Sequence, residues 1–286
     1  GTLGSSVCTV CPPGLISAEL GSTTCEICQA GTSTEGASGT TQCVDCSPGT
    51  YSDLDGFATC SKCAVGTYAG EAGAIHCAMC PAGKIGTERG ITACKACDAG
   101  KYSGEGTNEC AECGWGTYAA EAGMSSCDKC PAGKAQSELG KSECDACPAG
   151  QFADDLGYFD CKAVGPGKYS KGGATTATDC PAGQECPNGE CFECADCKEG
   201  TYAADVGTVT CSKCEAGYYA DSKASTECLA CPAGKYSELG ADQCIDCPAG
   251  TVTTKAGQPL CTKCTQGSIA ASTGMSACTE CPVNTY

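Results

Sequence analysis

Apolar and polar positions along this chain follow neither a helical nor a strand period; they repeat every 16 to 18 residues, and CPAGKYSELGADQC, from Cys231 to Cys244, shows one period. With the opening cysteine as position one, position four is Gly in all 16 complete units, from Gly14 and Gly31 to Gly250 and Gly267. Position six is Tyr or Phe in nine of them, among them Tyr51, Tyr68, Tyr102, Tyr118, Phe152 and Tyr236. A second Gly stands four residues before the closing position in 14 of the 16, as at Gly21, Gly73, Gly140 and Gly274. Glycine at a fixed place in a tight loop implies a positive φ, which other residues adopt only at a cost. The lone aromatic reads as a small apolar lid over a cross-link. Units this short have no room for a helix of ordinary length. The pattern predicts small disulfide-rich tandem repeats of about 17 residues, built from turns and short β-hairpins with almost no helix.

Composition explains how such units hold together. Of 286 residues 34 are Cys and 40 are Gly, whereas Leu, Ile, Val and Phe together number only 29. So little apolar matter, with a net charge of −17, would ordinarily mean disorder. Cross-links reverse that expectation, because they lower the entropy of the unfolded chain. A cytosol would keep these thiols reduced, so the chain is expected outside it, secreted or at the cell surface. It has no run of 18 or more apolar residues and hence no expected membrane span, and it begins at Gly1 without a signal-peptide pattern, so a signal is expected to have been removed or to lie outside this stretch. Its acidity argues against nucleic acid as a partner.

A defect in the repeat bears on connectivity. The pair CxxC recurs 15 times in register, its first cysteine at 8, 25, 43, 60, 77, 94, 110, 127 and 144, then at 194, 211, 228, 244, 261 and 278. Between these runs Val164 and Ala177 replace two cysteines, the first and last residues of one loop. Losing both removes one bridge cleanly if the second cysteine of each CxxC pairs with the first of the next. That rule gives Cys11 with Cys25, Cys28 with Cys43, and so on to Cys147 with Cys161. Past the defect it gives Cys180 with Cys194 and continues to Cys264 with Cys278. Cys186 and Cys191, extra cysteines inside the 180–194 loop, pair with each other. A rival scheme joins first to first and second to second cysteines, and it accommodates the double loss less well. Each loop of about 14 residues contributes about 3 kcal/mol in the chain-entropy model. The defect divides the chain into a regular array over 1–161, an irregular segment over 162–197 and a second regular array over 198–286. The irregular segment predicts a bend or a lateral contact, with drift as the plain alternative.

Two cysteines remain, Cys8 and Cys281. Joined end to start, the chain reads CPVNTYGTLGSSVC, with the same spacing as Cys231 to Cys244. Tyr286 then falls at position six, Gly4 four residues before Cys8, and Asn284 at the glycine position, where Asn is the next best residue for positive φ. The expectation is continuation: copies joined head to tail by a Cys281–Cys8 bridge, or a longer array of which this is one window. An arbitrary cut that happens to land in phase is the alternative. A head-to-tail contact that does not close makes a filament.

The units C-P-x-G-x-Y…G-x-x-x-C-x-x-C resemble the cysteine-rich repeats of ephrin-receptor-like and tumour-necrosis-factor-receptor-like extracellular proteins, over almost the whole chain. The resemblance implies an elongated rod of small stacked modules outside the cell, without catalysis. Long, uniform arrays of this kind in surface proteins of protists and algae imply cell-surface fibres such as flagellar hairs. The chain departs from receptor ectodomains in its near-uniform modules and in showing no separate ligand-binding domain or kinase.

Other chemistry finds little support. Successive CxxC pairs approach zinc-ribbon spacing, but an unbroken series would oblige each pair to choose a neighbour, and His76 is the one histidine. No βαβ pattern surrounds any CxxC as a redox site would require. LGKS, at Leu139 to Ser142, lacks the first glycine of a phosphate loop, since Ala135 stands there. Acidic residues recur at position eight or nine: Glu35, Asp53, Glu71, Glu88, Glu105, Glu121, Glu138, Asp155, Asp205, Asp221 and Glu238. They read as a solvated face; the sharper reading is weak calcium binding between units, with no other cofactor expected. Trp115 either marks a contact or fills the alanine place of CPAG. Asn108, Asn188 and Asn284 lie in no N-glycosylation sequon, while Ser and Thr leave O-glycosylation open. The sequence therefore predicts a non-enzymatic structural protein whose partners are copies of itself, and its alternative is a receptor stalk or ligand-binding module.

Overall fold

A computed structural model describes residues 7–283. Among them, sixteen two-stranded antiparallel hairpins follow one another, each strand two residues long, with no helix between them. Positions five and six of a unit pair with the two residues inside the next CxxC. Thr50–Tyr51 thus lies against Ser61–Lys62, in the register Thr50↔Lys62 and Tyr51↔Ser61. The two variable residues of each CxxC are a strand in their own right.

A ribbon this short is not stable alone. Local bonds and one bridge close it. The Thr50 N–H donates to the Ser47 carbonyl at 2.9 Å, and the Cys63 N–H to the Gly49 carbonyl at 3.0 Å. The Thr50 hydroxyl adds a bond to the same Ser47 carbonyl at 2.7 Å. The Cys46–Cys60 disulfide ties the loop at its base.

The core consists of sulfur and small side chains. Opening cysteines such as Cys28, Cys63, Cys80, Cys113 and Cys130 are fully buried. The residue at position seven is buried with them: Ser52, Ala69, Ser103, Ala119, Ala153, Ala203, Ser237 and Thr253. The position-six rings, such as Tyr51 and Tyr68, are only half-buried. Aliphatic residues beside the second Gly are exposed, as Leu20, Leu139 and Leu239 are.

The chain forms two compact units. One comprises Gly1–Cys130, Gln136–Cys144 and Gly157–Phe159; the other comprises Pro131–Ala135, Asp145–Leu156 and Asp160–Tyr286.

Candidate functional site: the junction between repeats

Each repeat holds the next through backbone atoms. Gly49 at position four donates its N–H to the carbonyl of Ala69, position seven of the following repeat, at 2.8 Å. Ser52 donates to Ala74, the residue after the second Gly, at 3.2 Å, and Gly73 donates back to the Cys46 carbonyl at 2.8 Å. The same trio recurs as Gly217 to Ser237 at 3.0 Å, Ala220 to Ala241 at 3.2 Å and Gly240 to Cys214 at 2.8 Å. No side-chain chemistry is needed for these bonds, so the junction tolerates varied sequence while keeping one geometry.

The two glycines differ in how strictly they are required. Gly49 has φ +86°, and a β-carbon on it would overlap the carbonyl of Gly90, two repeats on. Position four must therefore be Gly both for its backbone angle and for the close approach. The second Gly needs at most the angle, and Glu190 takes its place without a positive φ. A β-carbon on Gly90 would meet the flexible side chain of Lys62 at 3.3 Å. This is why Ala224 can replace a second Gly while keeping φ +55°.

Where position seven is Ser or Thr, its hydroxyl joins the junction. The Thr253 hydroxyl accepts the Gly234 N–H at 2.7 Å and donates to the Lys235 carbonyl at 3.1 Å. The Ser237 hydroxyl does the same with Gly217 at 3.1 Å and the Tyr218 carbonyl at 2.8 Å. Both side chains are fully buried, so these bonds satisfy groups that would otherwise be costly to bury. Hydropathy could not single out this position, because Ala, Ser, Thr, Gly, Gln and Cys occupy it in turn, and Gln136 shows that small volume is common there without being required.

The structure bridges Cys11–Cys25, Cys28–Cys43, Cys147–Cys161, Cys180–Cys194, Cys186–Cys191 and Cys264–Cys278. The remaining bridges, such as Cys63–Cys77 and Cys231–Cys244, likewise join the second cysteine of one pair to the first of the next. Val164 occupies a buried opening-cysteine place, its N–H donating to the Gly150 carbonyl at 3.1 Å as the cysteines' N–H groups do. Cys8 and Cys281 carry free thiols. Cys281 nonetheless sits as an opening cysteine does, its N–H donating to the Gly267 carbonyl at 2.9 Å. Gly4, Asn284 and Tyr286 lie outside the described residues.

The acidic series from Glu35 to Glu238 is exposed throughout. Among the described residues no three His, Cys, Asp or Glu side chains gather as metal ligands. Ion pairs are at the surface, such as Lys235–Asp246 at 2.9 Å and Lys141–Glu138 at 2.8 Å. The hydrogen bond and charge of Lys141 hold the Glu138 carboxyl below the usual carboxylate range. His76 and Trp115 are exposed. Tyr202, Tyr218, Glu215 and Glu227 line a shallow cleft of about 380 Å³. No helix among the described residues is long and apolar enough to cross a membrane.

The family model described as "tyrosine-protein kinase ephrin type A/B receptor-like" matches at residues 36–75, 49–97, 100–140, 200–236 and 234–276, more than half of the chain. The chain belongs to this family. No curated protein matches it. The match concerns the cysteine-rich modules, which are non-catalytic, receptor-like or structural repeats of extracellular type. Bridging at this density in an ephrin-receptor-like array fits an oxidising environment.

Proposed function

We propose that this ephrin-receptor-like chain is a structural extracellular protein whose array continues head to tail into a filament, a cell-surface or flagellar-hair-like fibre. The observation that carries the reading is Cys281: it holds the backbone place of an opening cysteine and lacks a partner, while Cys8 is the other free thiol. A bridge from Cys281 to Cys8 of the next copy would complete one more repeat. The junction supports the same reading, because it is made of backbone bonds that any following repeat can accept. No catalytic role is proposed.

A denaturing gel of native material with blocked thiols, run with and without reductant, tests this. A ladder that collapses to about 28 kDa on reduction is the expected result. Species that stay large after reduction would mean one continuous longer array. A 28 kDa band without reductant would remove the intermolecular bridge. It would favour the second reading, a receptor stalk or ligand-binding module, which the family match supports.

A further inference from the structure

Repeat 164–177 has no disulfide of its own, and the repeat after it has one too many. The two irregularities meet at one junction. At a regular junction the preceding repeat hangs from two carbonyls, that of position seven and that of the residue after the second Gly. Ala69 and Ala74 play these parts for repeat 46–60, at 2.8 and 3.2 Å. For repeat 164–177 the two acceptors are Cys186, which takes the Gly167 N–H at 2.8 Å, and Cys191, which takes the Ser170 N–H at 3.1 Å. These two residues are bonded to each other. In no other described repeat are the two acceptors covalently joined.

The loop between them adds a further contact. Gly165 donates its N–H to the Gly189 carbonyl at 3.0 Å, and a β-carbon on Gly189 would meet Gly165 backbone at 2.9 Å. Tyr169 forms a parallel bridge with Cys191, as Phe152 does with Ala174 and Tyr219 with Ala241 at other junctions. The loop that the extra disulfide closes is thus pressed on the backbone beside Val164, where the missing bridge would have been.

We propose that the Cys186–Cys191 bridge is a strap that holds the unbridged repeat 164–177 in place, standing in for the lost disulfide from the neighbouring repeat. A disulfide limits the freedom of whatever hangs from it. Fixing two acceptors relative to each other fixes the strand end that donates to both.

The test is hydrogen exchange on the oxidised full chain. C186S/C191A gives the strapping repeat 180–194 residues found elsewhere at these places: Ser52 and Ser237 at position seven, Ala74 and Ala241 after the second Gly. The expected result is exchange at least about tenfold faster at Gly167 and Ser170, residues outside the 186–191 loop. Adding V164C/A177C to that variant restores the regular bridge and should return protection to the wild-type level. Faster exchange confined to 186–191, or no recovery with the restored bridge, would overturn the proposal. If C186S/C191A does not fold, the fourfold variant decides: its folding supports the strap, and its failure sinks it.

Discussion

At the residue scale the repeat depends on one glycine more than on any cysteine. Gly83 at position four has φ +86°, and a β-carbon there would overlap the Gly123 carbonyl. Gly165 has nearly the same angle, φ +84°, with nothing within 4 Å of where its β-carbon would be. The pair separates two costs that usually travel together. Gly165→Ala should lose about 1–2 kcal/mol from the left-handed backbone alone. Gly83→Ala should lose a further amount of about 1–3 kcal/mol, because a packed backbone must move aside. Calorimetry of both oxidised variants checks this, and equal losses would mean the approach of Gly123 costs nothing. The need for Gly at position four was legible in the sequence from its recurrence, and so was the positive φ. Its second reason was not, because the carbonyl that excludes a side chain comes from two repeats away. Position seven was illegible for another reason. Ala69, Ser103, Gln136 and Thr253 share burial without sharing polarity, so no hydropathy pattern marks them.

At the scale of the element, the hairpin and its bridge make one unit, and Val164 with Ala177 is a natural experiment on it. The hairpin persists there as Lys168–Tyr169 against Thr178–Asp179, with its register intact. Copying those residues into a regular repeat, as C63V/C77A, removes the bridge with no strap in the following repeat, and the hairpin Thr67–Tyr68 against Ala78–Met79 should still form because its backbone junctions remain. The double substitution should cost about 3 kcal/mol, the entropy released when a loop of about 14 residues is opened. The valine side chain introduced in place of Cys63 restores some burial, so the loss should not exceed that figure. Exchange of amides across residues 63–80 would report it, and protection equal to wild type would show that the bridge adds nothing once the junctions are made. Hairpins were legible from turn residues at fixed offsets. Their pairing was less so, because two residues between cysteines, such as Ser61 and Lys62, are too short a run to show strand alternation.

At the scale of the whole molecule, the question is whether a repeat junction can form between chains. From Gly14 to Gly234, position-four glycines face a carbonyl two repeats on; Gly250 and Gly267 do not. Gly267 has φ +86° and nothing within 4 Å. On the head-to-tail reading, the repeat two places after it is the 11–25 repeat of the next copy, and the carbonyl that should reach Gly267 is that of Gly21. Gly21 likewise has nothing within 4 Å of its β-carbon position. Gly267→Ala should then leave the isolated chain folded but block the approach, so that single chains accumulate. Gly165→Ala serves as the control, since it carries the same backbone strain away from the proposed contact. Each copy bears a net charge of −17, so both variants belong at an ionic strength of about 0.15 M or above, where repulsion between chains is screened over about 8 Å. Analytical ultracentrifugation under non-reducing conditions reads the outcome. If Gly267→Ala assembles as well as Gly165→Ala, copies do not meet through the repeat junction. Any Cys281–Cys8 link would then be a flexible tether, because a bridge without the backbone bonds would leave Gly267 unopposed.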